Sequence, residues 1–270
     1  MSDRVVVVGG GLAGIAAALS CADGGAQVTL VEVRSRLGGA AYSFEREGLW
    51  LDNGQHVFLR CCDAYRGLLE RLGVTDRTFL QRRLEVPLLA PGGRRGRLRR
   101  VALPSPAHLA PSLATYPFLS LGERISAVRA ARALGRLDPG DPALDERTLG
   151  AWLTEHGQGE HAQAVLWDLI ARPTLNVPAA GASLALGAFV FRTGLLQRAE
   201  AGDIGWAAVP LSKLHDEPAR RALAAAGVDV RTGWRAERIE ARDGAAVAVA
   251  GPERLEADAV VLALPHERAA

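Results

Sequence analysis

Four consecutive valines, residues 5–8, run directly into Gly9-Gly10-Gly11-Leu12-Ala13-Gly14, and no other segment restricts the fold of this 270-residue chain so tightly. A continuous β-branched run is what a strand buried on both faces needs. The Ala-rich stretch after it, residues 12–21, places Leu12, Ile15, Ala16 and Leu19 on one side of a helix. In Gly9-x-Gly11-x-x-Gly14 the first glycine permits a tight turn, the second admits a diphosphate close to the backbone, and the third lets helix approach sheet. Gly10 and Ala13 complete that loop, and the phosphates rest on the N–H groups left unpaired at the helix start. Gly24-Gly25 closes the helix, residues 27–32 form a second strand, and Glu32 ends it 18 residues beyond Gly14. A carboxylate there accepts both hydroxyls of an adenosine ribose. Strand, turn, helix, strand and acid, in that order, read as a dinucleotide-binding unit.

Composition narrows the partners. At 49% apolar and 23% charged residues the chain is globular, and a formal net charge of +2 provides no global field for nucleic acid or an anionic membrane. Cys21, Cys61 and Cys62 form no CxxC and no even framework, which excludes a disulfide scaffold and a zinc ribbon and suits a reducing cytoplasm. Six scattered histidines show no metal-ligand spacing, so no metal is expected, and His156 and His161 read as solvated. No signal peptide is read before the first strand, where Asp3 and Arg4 lead only four valines. The uncharged stretches 101–122 and 173–191 carry several prolines and do not read as bilayer-spanning helices.

Further on, residues 63–72 predict a helix with Tyr65, Leu68, Leu69 and Leu72 at helical spacing. Strands at 85–90 and 97–103 join through Pro91-Gly92-Gly93, and the arginines between 94 and 100 read as a solvated loop. Residues 121–137 form an amphipathic helix with Leu121, Ile125, Val128, Ala131 and Leu134 on one side and Arg129, Arg132 and Arg136 on another. A core-facing role suits it best; the alternative places residues 101–137 on a membrane surface as a peripheral contact. Helices are predicted at 149–155, 162–171 and 183–196. Pro218 is expected to open another, closed by Gly227, before strands at 228–231, 235–241, 245–250 and 257–264. The fold class expected is α/β. A Rossmann-like domain from residues 1–82 and 205–270 is interrupted by a mostly helical insertion, residues 83–204, that holds substrate.

A second glycine pair decides which dinucleotide. Gly38-Gly39 follows Glu32 by six residues; a simple nicotinamide dehydrogenase has no use for it, whereas FAD lies extended and needs a second loop along its pyrophosphate and ribityl chain. Here the sequence resembles the flavoprotein group of amine oxidases and phytoene desaturases, whose pattern is Glu-x-Arg-x-x-x-Gly-Gly-Arg. Glu32, Arg34, Gly38 and Gly39 match it; Ala40 stands where the pattern carries arginine, which leaves Arg34 and Arg36 as the nearby cations. The resemblance implies FAD as cofactor. It also implies cofactor contacts from Gly9, Gly10, Gly11, Ala13, Gly14, Glu32, Arg34, Gly38, Gly39 and Ala40. The block Leu51-Asp52-Asn53-Gly54-Gln55-His56-Val57-Phe58 is similar to the strand that passes beside the isoalloxazine in this group. That adds Gly54, Gln55, His56 and Val57, and Ala236 in a returning strand. His56 is the candidate catalytic proton donor, as a group titrating near neutrality, with simple packing as the competing role. Asp52 reads as a turn or cap residue.

The wording of that block resembles the bacterial hydroxysqualene dehydroxylases within the same superfamily. Leu103-Pro104-Ser105-Pro106, Trp167-Asp168-Leu169 with Thr174-Leu175-Asn176-Val177-Pro178, Val209-Pro210-Leu211-Ser212 and Ala263-Leu264-Pro265 support it. The resemblance implies a long apolar isoprenoid substrate, reductive removal of hydroxyl from hydroxysqualene to give squalene, and a place in hopanoid synthesis. It also implies a cytoplasmic protein, peripheral at the inner membrane face if residues 101–137 lie on lipid. A carotenoid-type desaturase needs the same apolar tunnel with hydride moving the other way. An amine oxidase is disfavoured by a 5% aromatic content with three tyrosines, too few for an aromatic cage. A third alternative is an inactive flavin fold: the chain ends at Ala270 just after a predicted core strand, and weak flavin retention is expected.

Overall fold

The computed structural model describes residues 2–242 and 245–269. The chain opens with β1 (Arg4–Val8), α1 (Leu12–Asp23), β2 (Gln27–Glu32), β3 (Ser43–Arg46), β4 (Leu49–Asp52), β5 (Val57–Leu59), α2 (Asp63–Arg71) and β6 (Thr78–Leu80). The middle contains β7 (Glu85–Leu89), β8 (Arg95–Arg99), α3 (Ala110–Ala114), α4 (Leu121–Leu134), α5 (Leu149–Glu155), α6 (Glu160–Ala162), α7 (Asp168–Leu175) and α8 (Leu184–Phe191). Then follow β9 (Ile204–Ala207), α9 (Leu211–Ala225), β10 (Asp229–Thr232), β11 (Arg238–Arg242), β12 (Ala245–Ala250), β13 (Arg254–Glu256), β14 (Ala259–Leu262) and α10 (His266–Ala269). These elements form two compact units. One draws on residues up to 57, 63–79 and from 206 onward, the other on 58–62 and 80–205.

The first unit is built on a parallel sheet in the order β10-β2-β1-β14, with Val7 opposite both Leu30 and Val261. Val5 to Val8 are all nearly inaccessible, as a central parallel strand covered on both faces must be. Gly14, Ile15, Ala18 and Leu19 of α1 face inward, and so do Leu211, Leu214, Ala219 and Leu223 of α9. The antiparallel meander β11-β12-β13 supplies Val249 and Leu255 to a cluster with Val6, Val8, Val31 and Trp234. Pro218 does not open a helix. It sits inside α9, which begins seven residues earlier, after Pro210. Proline in a helix interior forfeits one backbone bond; here Pro218 is buried on the same face as Leu214 and His215, and packing holds the helix through it. The hairpin β3–β4, turning at Glu47 and Gly48 with φ of 53° and 77°, has no counterpart in the sequence reading. Phe44, Leu49, Trp50 and Leu51 on it stay exposed, so no alternation of buried and solvated residues announces it.

The second unit is mostly helical, around Leu134, Leu149, Trp152, Leu153, Trp167, Leu184 and Phe191. The hairpin pairs Glu85 with Arg99, so its second strand ends four residues before the predicted limit. Arg100 leaves the strand because its guanidinium donates to Asp203, at 2.6 Å from Nε and 2.8 Å from Nη2. That corrects the solvated-loop reading of the arginine run: Arg95, Arg97 and Arg99 are exposed, but Arg100 is part of a buried ion pair. Asp203 is fully buried, and it also accepts from Arg60 Nε at 3.0 Å and from the Leu84 N–H at 2.7 Å. Burial works to raise its pKa, but the bonds from Arg100, Arg60 and Leu84 outweigh it and hold the carboxyl below the usual range.

Helix α4 is turned differently from the amphipathic prediction. Its buried face is Ala127, Ala130 and Leu134, while Leu121, Ile125 and Val128 are 70%, 48% and 42% exposed. Alanines permit close approach to the cluster of Leu149 and Trp152, and that packing carries the larger side chains outward. The helix stops at Leu134, capped by Gly135, three residues short of the predicted end. Single π turns at Gln163–Trp167 and Arg192–Leu196 interrupt the helices predicted over 162–171 and 183–196. His156 is not simply solvated: its ring stacks on Trp152 with centroids 3.7 Å apart. No helix among the described residues is long and apolar enough to cross a membrane.

Candidate functional site

The end of β1 and the start of α1 form a bare backbone cradle. Gly9 has φ 109°, and a Cβ on it would lie 2.4 Å from the Ala263 carbonyl oxygen. At Gly14 a Cβ would lie 1.8 Å from the Gly9 oxygen, so helix and strand are as close as glycine allows. Gly11 caps α1 with no side-chain hydrogen bond, which leaves the first-turn N–H groups to an incoming acceptor. Ala13 is exposed on that turn.

Glu32 reaches back under the cradle. Its carboxylate accepts from the Gly10 N–H at 2.7 Å and the Arg34 N–H at 2.8 Å. Each oxygen keeps a lone pair, which is what paired ribose hydroxyls require. The second glycine pair closes against the first. The Gly38 N–H donates to the Gly10 carbonyl at 2.9 Å, and a Cβ on Gly39 would lie 2.9 Å from the Gly11 Cα. Two glycine loops therefore face each other backbone to backbone. Arg34 and Ala40 are exposed. The Arg36 guanidinium lies over the Tyr42 ring at 3.7 Å and donates through Nη1 to the Gly39 carbonyl at 2.9 Å. Burial, then the neighbouring Arg34, lowers its pKa, against the pull of Tyr42, Glu32 and Asp216.

The 53–57 segment is brought to the second loop by Asn53. Its Nδ2 donates to the Ala40 carbonyl at 2.8 Å, and its Oδ1 accepts from the Tyr42 N–H at 3.1 Å and from His56 Nε2 at 3.3 Å. Gly54, Gln55, His56 and Val57 are exposed beside it. The segment bends between β4 and β5 and is not one continuous strand. Asp52 is a cap: Oδ1 accepts from Ser43 Oγ at 2.6 Å and from the Leu211 N–H at the start of α9 at 3.1 Å. Ala236 is half-buried against the cluster of Val6, Val8 and Trp234, two residues beyond the Trp234 N–H that donates to the Glu32 carbonyl at 2.9 Å.

The loop-holding side of helix α9 is what sequence reasoning missed. Four of its polar residues, spaced along one side, hold the loop after Glu32. Ser212 Oγ accepts from the Ser43 N–H at 2.9 Å, Asp216 Oδ1 accepts from the Leu37 N–H at 3.1 Å, and Arg220 Nη2 donates to the Ser35 carbonyl at 2.8 Å. His215, 1% exposed, donates from Nδ1 to the Ala41 carbonyl at 3.4 Å, which leaves Nε2 to accept from the Tyr65 hydroxyl at 2.9 Å. Burial is the main cause that pushes this imidazole below its ordinary value; the Ala41 bond opposes it, His56 adds to it and Asp52 opposes it. The signal available was polar residues at positions 212, 215, 216 and 220, three, four and eight apart on a helix with an apolar face.

The residues around the two loops fit an adenine dinucleotide: a cradle that any Cβ would fill, an open helix start and a carboxylate with spare lone pairs. In the other unit lies an apolar pocket of about 530 Å³, within the range of small-molecule sites. Leu113, Val128, Leu166, Ile170, Phe191 and Leu195 line it, with Arg132, Arg136 and Arg192 among its charged neighbours.

Comparison with known proteins agrees with this geometry. A family model described as flavin containing amine oxidoreductase matches residues 12–270. A carotenoid phi-ring synthase of Streptomyces griseus is 30% identical over 272 residues, covering 96% of this chain and 52% of that protein. A zeta-carotene desaturase of Synechocystis sp. is 30% identical over 179 residues, 62% of this chain and 36% of that protein. This chain thus spans about half or less of the curated relatives' length. Among solved structures, a putrescine oxidase double mutant superposes with a TM-score of 0.69 at 22% identity, over 98% of this chain and 58% of that one. An oxidoreductase of Methanosarcina mazei gives 0.69 at 16% identity, over 98% and 60%. At those identities the likeness is one of fold.

Proposed function

Since the chain belongs to the flavin-containing amine oxidoreductase family, whose cofactor is FAD, we propose that it serves an oxidoreductase acting on a long apolar isoprenoid. The single observation that carries the substrate class is the pocket of about 530 Å³, lined mostly by aliphatic and aromatic side chains with Arg132, Arg136, Arg192 and Gln197 among them. A hydrocarbon offers nothing to hydrogen-bond and is held by shape and burial. FAD, when bound, supplies hydride transfer. Gly9, Gly11 and Gly39 hold its diphosphate against bare backbone, and Glu32 holds the adenosine ribose. Asn53 ties the 53–57 segment to the second loop, and His56 on that segment holds the proton that a leaving hydroxyl takes up.

Two finer readings follow. The block 51–58 supports reductive dehydroxylation of hydroxysqualene, in which a carbon–hydrogen bond replaces a carbon–oxygen bond and water leaves. The phi-ring synthase and desaturase relatives support a carotenoid substrate and the opposite redox direction. Flavin-loaded protein is incubated anaerobically with hydroxysqualene and a flavin reductant, and separately with phytoene or zeta-carotene and a quinone acceptor. Squalene as sole product supports the first reading, a longer conjugated polyene the second; no product from either sinks the isoprenoid assignment. With squalene formed, His56→Gln is expected to lower turnover about 100-fold while FAD stays bound.

We also propose a peripheral membrane contact through α4. Leu121, Ile125 and Val128 form an exposed stripe on the helix that lends Val128 and Ala131 to the pocket. Arginines 129, 132 and 136 flank it, suited to anionic headgroups. Serine at positions 121, 125 and 128 is expected to weaken binding to phosphatidylglycerol-containing vesicles at least tenfold in sedimentation assays.

A further inference from the structure

Arg36 has a donor with nothing to bond. Its Nη1 is spent on the Gly39 carbonyl and its plane on the Tyr42 ring, but Nη2 is buried without a hydrogen-bond partner. A guanidinium N–H taken out of water and left unpaired is costly, more so than a neutral donor. The Glu32 carboxylate, on the preceding strand, is already engaged by the N–H groups of Gly10 and Arg34. Position 40, on the same loop, is an exposed alanine with no donor to offer. The carbonyl that fixes Nη1 belongs to Gly39, whose backbone faces Gly11 in the cradle. The unpaired group is therefore charged, desolvated and anchored at the point where two glycine loops meet.

We propose that Arg36, through Nη2, binds the diphosphate of the dinucleotide and is the principal side-chain cation of this site. The proposal rests on the FAD reading above. Planar guanidinium donors suit phosphate oxygens, and an anion arriving at Nη2 removes the desolvation cost that the free protein bears. Nη1 and the Tyr42 ring hold the group in place beforehand, so little side-chain entropy is lost on binding.

Two titrations by calorimetry, with ADP and with adenosine, separate this role from loop bracing. In the native chain ADP is expected to bind more tightly than adenosine. Arg36→Met is expected to weaken ADP at least tenfold, leave adenosine within twofold, and keep the native thermal unfolding profile. Adding Ala40→Arg to that variant returns a cation to the loop and recovers most of the ADP affinity. Unchanged ADP affinity in Arg36→Met overturns the proposal, and so does a parallel loss of ADP and adenosine, which marks a brace and not a ligand. If Arg36→Met does not fold, Arg36→Lys is measured the same way. It retains a charge on the Gly39 carbonyl without the planar fork, and a severalfold loss confined to ADP is expected; native ADP affinity there overturns the proposal. A native chain that binds neither ligand removes the FAD reading itself, a result distinct from either failure.

Discussion

Gly11 and Gly14 lie one helical turn apart and are expected to fail in opposite ways. A methyl at Gly14 meets the Gly9 carbonyl oxygen at 1.8 Å and the Ala263 Cβ at 3.3 Å, so alanine there drives α1 off the end of β1. Overpacking of that kind costs about 1–3 kcal/mol or more. Gly11 has φ −73° and ψ 178°, an ordinary extended conformation, and its Cβ would meet only the Gly39 Cα at 3.8 Å. Gly11→Ala is therefore expected to fold with a stability change under about 1 kcal/mol, yet to set a methyl where the diphosphate approaches. Urea unfolding and ADP titration check both: Gly14→Ala loses stability, Gly11→Ala loses ADP affinity at least tenfold with stability kept. If Gly11→Ala binds ADP normally, the cradle does not hold phosphate. These two residues, with Glu32, were legible in the sequence because each role follows from a backbone approach or a strand end. His215 was not, since a lone histidine on an apolar helix face carries no local sign that it sits under a loop whose Ala41 is 174 residues away in sequence.

At the scale of the element, α9 shows where periodicity stops being informative. Its start was obscured by Pro218, which marks a helix opening by local rules and is here kept in the interior by burial. Helix α4 fails differently: an apolar stripe at the right spacing exists, but small residues pack inward and the stripe faces out. Patterning gives the existence of a helix and leaves its rotation to packing. The placement of α9 has a consequence in pH. Burial holds the pKa of its His215 below the unfolded value of about 6.5. The unfolded chain therefore takes up a proton that the folded one refuses. This contribution to stability is whole above pH 6.5 and is lost as pH falls from there through the folded value. His108 in the other unit is shifted in the same direction, by burial first and then Arg100, and adds to the slope. His215→Gln is expected to flatten, without abolishing, the fall in unfolding free energy between pH 7 and 5. An unaltered slope would mean that the His215 pKa is the same in the folded and unfolded chain, and that burial under the loop does not shift it.

For the molecule as a whole, the alternation of βαβ with a helical middle was readable from texture, because a parallel sheet demands continuous β-branched runs and the middle has none. What ties the second unit together was not, because it depends on groups from four separate stretches of chain. Asp203 is bonded by Arg60, the Leu84 N–H and Arg100, and only folding brings residues 60, 84, 100 and 203 to one point. No spacing rule connects them. The charge balance at that point is one buried carboxylate against two guanidinium groups that are 28% and 12% exposed, so removing the carboxylate leaves two cations facing each other with little water. Breaking a buried pair on one side costs about 3–5 kcal/mol. Asp203→Asn retains the shape and an acceptor for the Leu84 N–H but not the charge, and it is expected to lose most of that amount. The cradle residues all lie in the first unit. Asp203→Asn is therefore expected to shift the urea midpoint strongly while ADP affinity, measured below the transition, stays within twofold of native. A variant that unfolds at the native midpoint would show that the two arginines are satisfied without Asp203, and that packing around Trp152 and Trp167 closes this unit by itself.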